Sequence, residues 1–295
     1  MKECIILTDS TSDLPLALRQ QYGIEYVQMH YIIDGTDYSA SLDWESHDPK
    51  TYYDLMRGGC RVFTTQVAKD TYENVFTEAI RAGKEVVYIG CSSALSASIN
   101  AARLVAQELT QTYPDAGIYC IDSLISSLGQ GYLAMEASRK RDAGLSAAQI
   151  AEYIESIKLC VNQCGTVASL EYLRRAGRVK ASKAFFGNLF GVKPLIISDR
   201  KGQNYAYKKA KGSANARAAI AEHIVQAANG VYEELFITHA DCLEEAELMK
   251  AEVLKLAPFK NVTISTIGPI VGASVGPGTV IVFCHGTEVM IEGNE

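Results

Sequence analysis

Four runs of hydroxyl side chains stand where apolar, strand-like segments give way to helix-like ones. They are Asp9-Ser10-Thr11-Ser12-Asp13, Thr64-Thr65-Gln66, Ser92-Ser93-Ala94-Leu95-Ser96, and Asp122-Ser123 with Ser126-Ser127. A helix start presents unpaired N–H groups and the positive end of a dipole, so it attracts anions. Ser and Thr add neutral donors without bringing a counter-charge. Taken singly, each run is an N-cap, where Ser, Thr and Asp are the favoured residues. Four in one alternating chain point to a pocket for a carboxylate or a phosphate.

Other chemistry was tested against spacing. Gly272-Ala273-Ser274-Val275-Gly276 matches the G-x-S-x-G nucleophile pattern, which needs a strand before the serine and a helix after it. Gly276-Pro277-Gly278 follows instead and opposes a helix, and none of the five histidines is an obvious base for Ser274. No phosphate-binding G-x-x-x-x-G-K-[ST] loop occurs. Gly129-Gln130-Gly131 lacks the third glycine of a dinucleotide fingerprint and is read as close helix–sheet packing. The histidines share no metal-ligand spacing, and no C-x-x-C pair occurs among the eight cysteines. Asp9 and Asp122 could act as an acid and base, but both sit at cap positions. The expectation is therefore no catalytic residue, no metal and no cofactor.

The 295 residues are 48% hydrophobic and 21% charged, with net charge −6. That length suits one or two globular domains. Arg174-Arg175 with Arg178 and Lys180 is the densest basic cluster, too short to track a nucleic-acid backbone. It suits one small anion or an acidic protein partner. No apolar run reaches the ~18 residues of a membrane helix, and the opening apolar run is too short for a signal peptide. With cysteines in apolar strand contexts and read as reduced, a cytoplasmic protein is expected.

Strand signals at 4–7, 85–90 and 117–121 alternate with helix signals at 14–22, 70–81, 95–109, 132–141 and 147–161. The last carries the stripe Ile150, Ile154, Ile157, Val161. This alternation predicts an N-terminal three-layer α/β/α domain, residues 1–162, with a mainly parallel sheet. Its hydroxyl runs then fall on the edge where such sheets bind ligands. Residues 163–295 read as an α+β domain with helices packed on a sheet. A hairpin is expected at 195–198 and 204–207, helices at 215–228 and 243–256, and strands at 234–238, 262–267 and 279–284. The segment Ala184-Phe185-Phe186-Gly187-Asn188-Leu189-Phe190-Gly191 is apolar and could line a slot for an acyl chain, with Phe186, Leu189 and Phe190 as candidates. Hydroxyls from the first half facing an apolar second half fit an amphiphile with an anionic head.

At this point the chain resembles a family. Thr8-Asp9-Ser10-Thr11-Ser12-Asp13-Leu14, Thr64-Thr65-Gln66, Ser92-Ser93-Ala94-Leu95-Ser96, Leu170-Glu171-Tyr172-Leu173-Arg174-Arg175-Ala176-Gly177-Arg178, Gly191-Val192-Lys193-Pro194, and Ile267-Gly268-Pro269 through Gly276-Pro277-Gly278 resemble, in order, the landmarks of the DegV family of bacterial fatty-acid-binding proteins. The resemblance implies a two-domain α/β fold with one long-chain fatty acid buried between the domains. Some members are acyl-binding subunits that present the carboxylate to a separate ATP-dependent fatty acid kinase subunit. It implies that Thr64 and Ser96 hold the carboxylate and that Thr65, Arg178 and Ser274 form the supporting network. Three departures stand out. The proline after the family's T-S-Q is Val67 here. The L-S-G-T-Y-Q segment reads Leu95-Ser96-Ala97-Ser98-Ile99-Asn100. The family often has histidine where this chain has Ser274. The leading expectation is a non-enzymatic lipid-binding protein. The alternatives are a small-molecule enzyme acting on a carboxylated or phosphorylated substrate in the same pocket, and a regulatory module that its lipid merely stabilises.

Overall fold

Alternating burial along the strands of the first half explains its layering. Leu7, Val86 and Tyr88 point into one core, while Ile6, Val87 and Ile89 point into another, as the two-residue period of a strand requires. The computed structural model describes residues 2–180 and 191–293. In the first half these residues form β1 (Cys4–Asp9), α1 (Leu16–Tyr22), β2 (Ile24–Val27), β3 (His30–Ile33), β4 (Thr36–Ser39), α2 (Pro49–Arg57), β5 (Val62–Thr65), α3 (Lys69–Arg81), β6 (Glu85–Gly90), α4 (Ser98–Thr112), β7 (Ile118–Asp122), α5 (Ser127–Asp142) and α6 (Ala147–Ile157). The second half adds β8 (Val161–Thr166), α7 (Leu170–Ala176), β9 (Val192–Ser198), β10 (Asn204–Lys211), α8 (Gly212–Ala228), β11 (Glu234–His239), α9 (Leu243–Leu256), β12 (Asn261–Thr266), α10 (Pro269–Val275) and β13 (Val280–His285).

The first sheet has the order β2-β1-β6-β7 and every pair in it is parallel. Phe76 of α3 with Ile99 and Val105 of α4 cover one face, and Leu133 of α5 with Ile150 and Ile154 of α6 cover the other. This is the expected three-layer arrangement. The second sheet, β10-β9-β8-β13-β11-β12, is mixed, with only β11 and β12 parallel. Helices α8 and α9 pack on one of its faces through Ile220, Ile224, Met249 and Val253. Its other face meets the first half across α5.

Helix α5 is buried from Ser127 to Ser138, as a helix shared by two sheets must be. Its glycines permit that. A Cβ on Gly129 would lie 2.6 Å from Ile125 and 2.9 Å from Phe283, and one on Gly131 would lie 2.8 Å from Leu14. Arg139, near its end, pairs with Glu234 of β11 at 2.6 Å and with Glu136 at 2.5 Å.

Several elements differ from the sequence reading. The stripe ending at Val161 breaks after Ile157: residues 158–160 form a single tight turn and Val161 opens β8, which pairs with β13. Helix α4 starts at Ser98 rather than Leu95, because Ser92 O accepts from the N–H groups of Leu95 and Ser96 and closes a separate turn there. The small antiparallel sheet β4-β3-β5 was not expected, since its strands are four residues long and carry His, Asp and Thr.

Candidate functional site

Strand β5 ends in Thr64 and Thr65, paired with Tyr31 and His30 of β3. Both threonines are exposed, and the chain then turns past Gln66 into buried Val67. The N–H of Val67 donates to Ser98 Oγ at 3.2 Å, which ties this turn to the head of α4. At the same helix head, Ser96 Oγ accepts from the N–H of Ser98 at 3.3 Å and donates to Ser98 Oγ at 3.1 Å. Two hydroxyl runs 30 residues apart are thus joined through one serine.

Arg178 and Ser274 come from the other half. Helix α7 is capped by Ser169, which accepts from the Glu171 N–H, and ends at Gly177 in the left-handed region at φ 67°. The chain leaves Gly177 toward α4, where Arg178 Nε donates to Leu95 O at 3.2 Å. Ser274 lies near the end of α10, a seven-residue helix packed close to α2: a Cβ on Gly272 would lie 2.5 Å from Tyr53 Oη. No strand precedes Ser274 and no helix follows it, so the nucleophile-elbow context is missing.

Thr64, Thr65, Ser96, Arg178 and Ser274 all line one cavity of about 240 Å³. Its apolar wall comes from Met29, Leu173, Ile196, Ile270, Val271, Val275 and Ile281. Among the described residues its lining holds no Asp, Glu, His or Lys, and Arg178 is the one charged side chain. A second cavity of about 330 Å³ shares Thr64, Arg178 and Ser274 as a wall and adds Arg61, Phe63, Tyr172 and Arg175. Such a lining can hold an anion attached to an apolar body. It offers no acid–base pair for acyl transfer. Cys91 also lines the first cavity, and burial pushes its thiol well above the usual range, so it is no thiolate.

The carboxylates of the other two hydroxyl runs are spent internally, although Thr11 and Ser126 also line the first cavity. Asp9 is fully buried and caps its own turn, accepting from the Thr11 N–H at 2.9 Å, from Tyr88 Oη at 2.7 Å and from Gln130 Nε2 at 3.2 Å. Asp122 Oδ1 accepts from the N–H groups of Ser93 and Leu124. Asp13 accepts from Ser127 Oγ at 2.5 Å and from the Gly268 N–H at 2.8 Å. Burial raises its carboxyl to about 7 against those two bonds.

Phe186, Leu189 and Phe190 lie outside the described residues. Sequence reasoning missed the apolar wall given by β8, β9, α10 and β13, and also the polar pair Gln163 and Asn204. The signal for α10 was present in Pro269 at a first helical position followed by Ile270, Val271 and Val275. Among the described residues no cluster could hold a metal ion, and no helix is long and apolar enough to cross a membrane.

A model of the DegV family, described as uncharacterised proteins, matches residues 3–285. A DegV domain-containing protein of Clostridium perfringens is 32% identical over 287 residues, covering 97% of this chain and 98% of the relative. A solved DegV family protein from Thermus thermophilus, described by its fatty-acid binding, superposes with a TM-score of 0.87 at 27% identity, covering 97% of this chain and 100% of its own. A fatty-acid-binding DegV family protein from Streptococcus agalactiae, 21% identical, shares the fold with a TM-score of 0.86 over 98% of this chain and 100% of its own.

Proposed function

The chain belongs to the DegV family, and on that premise we propose that it binds one long-chain fatty acid in the cavity between its two halves and performs no chemistry on it. The observation that carries this reading is the lining itself: hydroxyls, one arginine and an apolar wall, with no carboxylate among the described residues. A buried anion needs donors and a nearby positive charge, and an acyl tail needs a dry surface. Thr64 and Ser96 take the carboxylate in this reading, with Thr65, Arg178 and Ser274 behind them and Phe186, Leu189 and Phe190 along the tail. The division into residues 1–162 and 163–295 belongs to the same proposal, and it falls within β8.

The finer part of the proposal is presentation of the carboxylate to a separate fatty acid kinase subunit. The second cavity supports it, because its lining adds Arg61 and Arg175 to the shared residues Thr64, Arg178 and Ser274. A cytoplasmic setting is supported by eight cysteines that all stand unpaired, the usual state in a reducing compartment.

Mass spectrometry of solvent-extracted, purified protein tests the reading. One equivalent of a C14–C18 acid is expected. Protein that carries no acid, and takes up none when offered palmitate, would sink it.

A further inference from the structure

The inner cavity wall carries a polar pair that a plain alkyl chain would strand. Gln163 of β8 is 6% exposed, and its Nε2 donates to Oδ1 of Asn204 on β10 at 2.8 Å. Both residues line the apolar cavity and neither lines the cationic one beside it, although the N–H of Lys180, two residues past Arg178, donates to Asn204 O at 2.8 Å. Among the described residues, Gln163 Oε1 and Asn204 Nδ2 have no further partner. The two amides can be assigned in either orientation, but either way the pair keeps both N–H donors and carbonyl lone pairs to spare. Of the other hydroxyls in the lining, Thr11 Oγ1 donates to Gln130 Oε1 at 2.7 Å and Thr279 Oγ1 donates to the carbonyls of Val275 and Gly276, whereas Thr166 Oγ1, also on β8, is buried without a partner among the described residues. Covering a free donor and acceptor with methylene groups leaves both unpaired, which is costly.

Resting on the fatty-acid reading above, we infer that the cavity is built for an acyl chain bearing a hydroxyl within the chain, held by Gln163 and Asn204. A hydroxyl is the small neutral group that donates and accepts at once, which matches what the pair leaves over. A second carboxylate fits less well, because the charged side chain of this lining is Arg178, on the shared wall. A site that hydrogen-bonds a ligand hydroxyl discriminates strongly against the analogue lacking it.

The test compares stearate with C18 acids carrying one hydroxyl at successive mid-chain positions, by displacement of a fluorescent fatty acid from delipidated protein. At least one position should bind tenfold or more tightly than stearate, and in Gln163→Leu/Asn204→Leu that ratio should fall within twofold of unity. If the double variant does not fold, Asn204→Ala alone, on the edge strand β10, should reduce the ratio. Stearate binding as tightly as every hydroxy acid would overturn the inference and leave fatty-acid binding intact. So would a native preference that survives the substitutions. Failure of stearate and all hydroxy acids to bind would instead bring down the fatty-acid reading itself.

Discussion

At the end of β1, Ser10, Thr11, Ser12 and Asp13 are buried, and Asp9 gathers donors from Thr11, Tyr88 and Gln130. At the end of β5, Thr64 and Thr65 stand exposed beside Ser96 and face a cavity. The two regions share residue types and each lies at a strand end, β1 within the parallel sheet and β5 on the small antiparallel one. They differ in that the first run contains its own carboxylates. An acid within the run consumes neighbouring hydroxyls and N–H groups, so the run closes on itself; without one, the donors remain for an incoming anion. In the first run only Ser12 Oγ is left buried without a partner among the described residues.

The comparison is easiest to break at Asp9. Asp9→Ala removes the acceptor shared by Tyr88, Gln130 and Thr11, and should lower unfolding stability by about 2–4 kcal/mol, at roughly 1–3 kcal/mol for each buried donor left unsatisfied. Urea denaturation checks this, and a loss under 1 kcal/mol would mean that the closed run is not structural. At Asp13 the effect depends on pH. Its carboxyl lies near 7 in the folded protein against about 3.9 in an unfolded chain. Folding therefore favours the protonated form: the contribution is full below about pH 4 and is lost as pH rises through 7. Denaturation midpoints from pH 5 to 8 should fall for the native protein relative to Asp13→Asn, and parallel curves would refute this. On the open side, Thr64→Ala or Ser96→Ala should cost roughly 1.5–3 kcal/mol of fatty-acid affinity, the worth of a hydrogen bond to a charged group, with unfolding stability changed by less than about 1 kcal/mol. Isothermal titration of delipidated variants reads the first and denaturation the second; unaltered affinity in both would remove these hydroxyls from the head-group site. The smallest shift concerns the filled cavity. Stripping the lipid should lower Tm by several degrees, and palmitate should restore it through mass action. Octanoate should restore little, since about eight fewer methylenes forgo ~0.8 kcal/mol each. Equal melting of stripped and refilled protein would speak against a buried acyl site.

Three strands of the parallel first sheet, its four flanking helices in outline and the bounds of β6 and α9 were legible from apolar runs and periods, whereas the four-residue edge strand β2 went unread. The small β4-β3-β5 sheet was not, although it delivers Thr64, because four residues cannot establish a period. Strand β8 was hidden twice. Val161 continues the helical spacing of Ile150, Ile154 and Ile157 by coincidence, and Val161-Asn162-Gln163-Cys164-Gly165-Thr166 is too polar to read as a central strand. Gln163 and Thr166 face the cavity, while Asn162 Nδ2 donates to Cys160 O and Thr287 O. The residues proposed for the head group came from family pattern rather than from spacing, since nothing local distinguishes Thr64 from an ordinary cap. Gln130 went unread between its two glycines, yet it wires Thr8, Thr11 and Asp9 together from a buried helix face.

The start of α10 is gripped from outside its own half. Tyr52 Oη donates to Pro269 O at 2.6 Å, Tyr53 Oη donates to Ile267 O at 2.7 Å, and Asp13 takes the Gly268 N–H. In the language of amide exchange, this makes α10 part of the first half's cooperative unit, although about a hundred residues of the second half precede it in the chain. Its protons should exchange with those of α2 and β1 rather than with those of β11, which is nearer to it in sequence. A fragment cut at the visible division between the sheets would then lack one wall of its own core, and the two fragments would recover it only by reassociating.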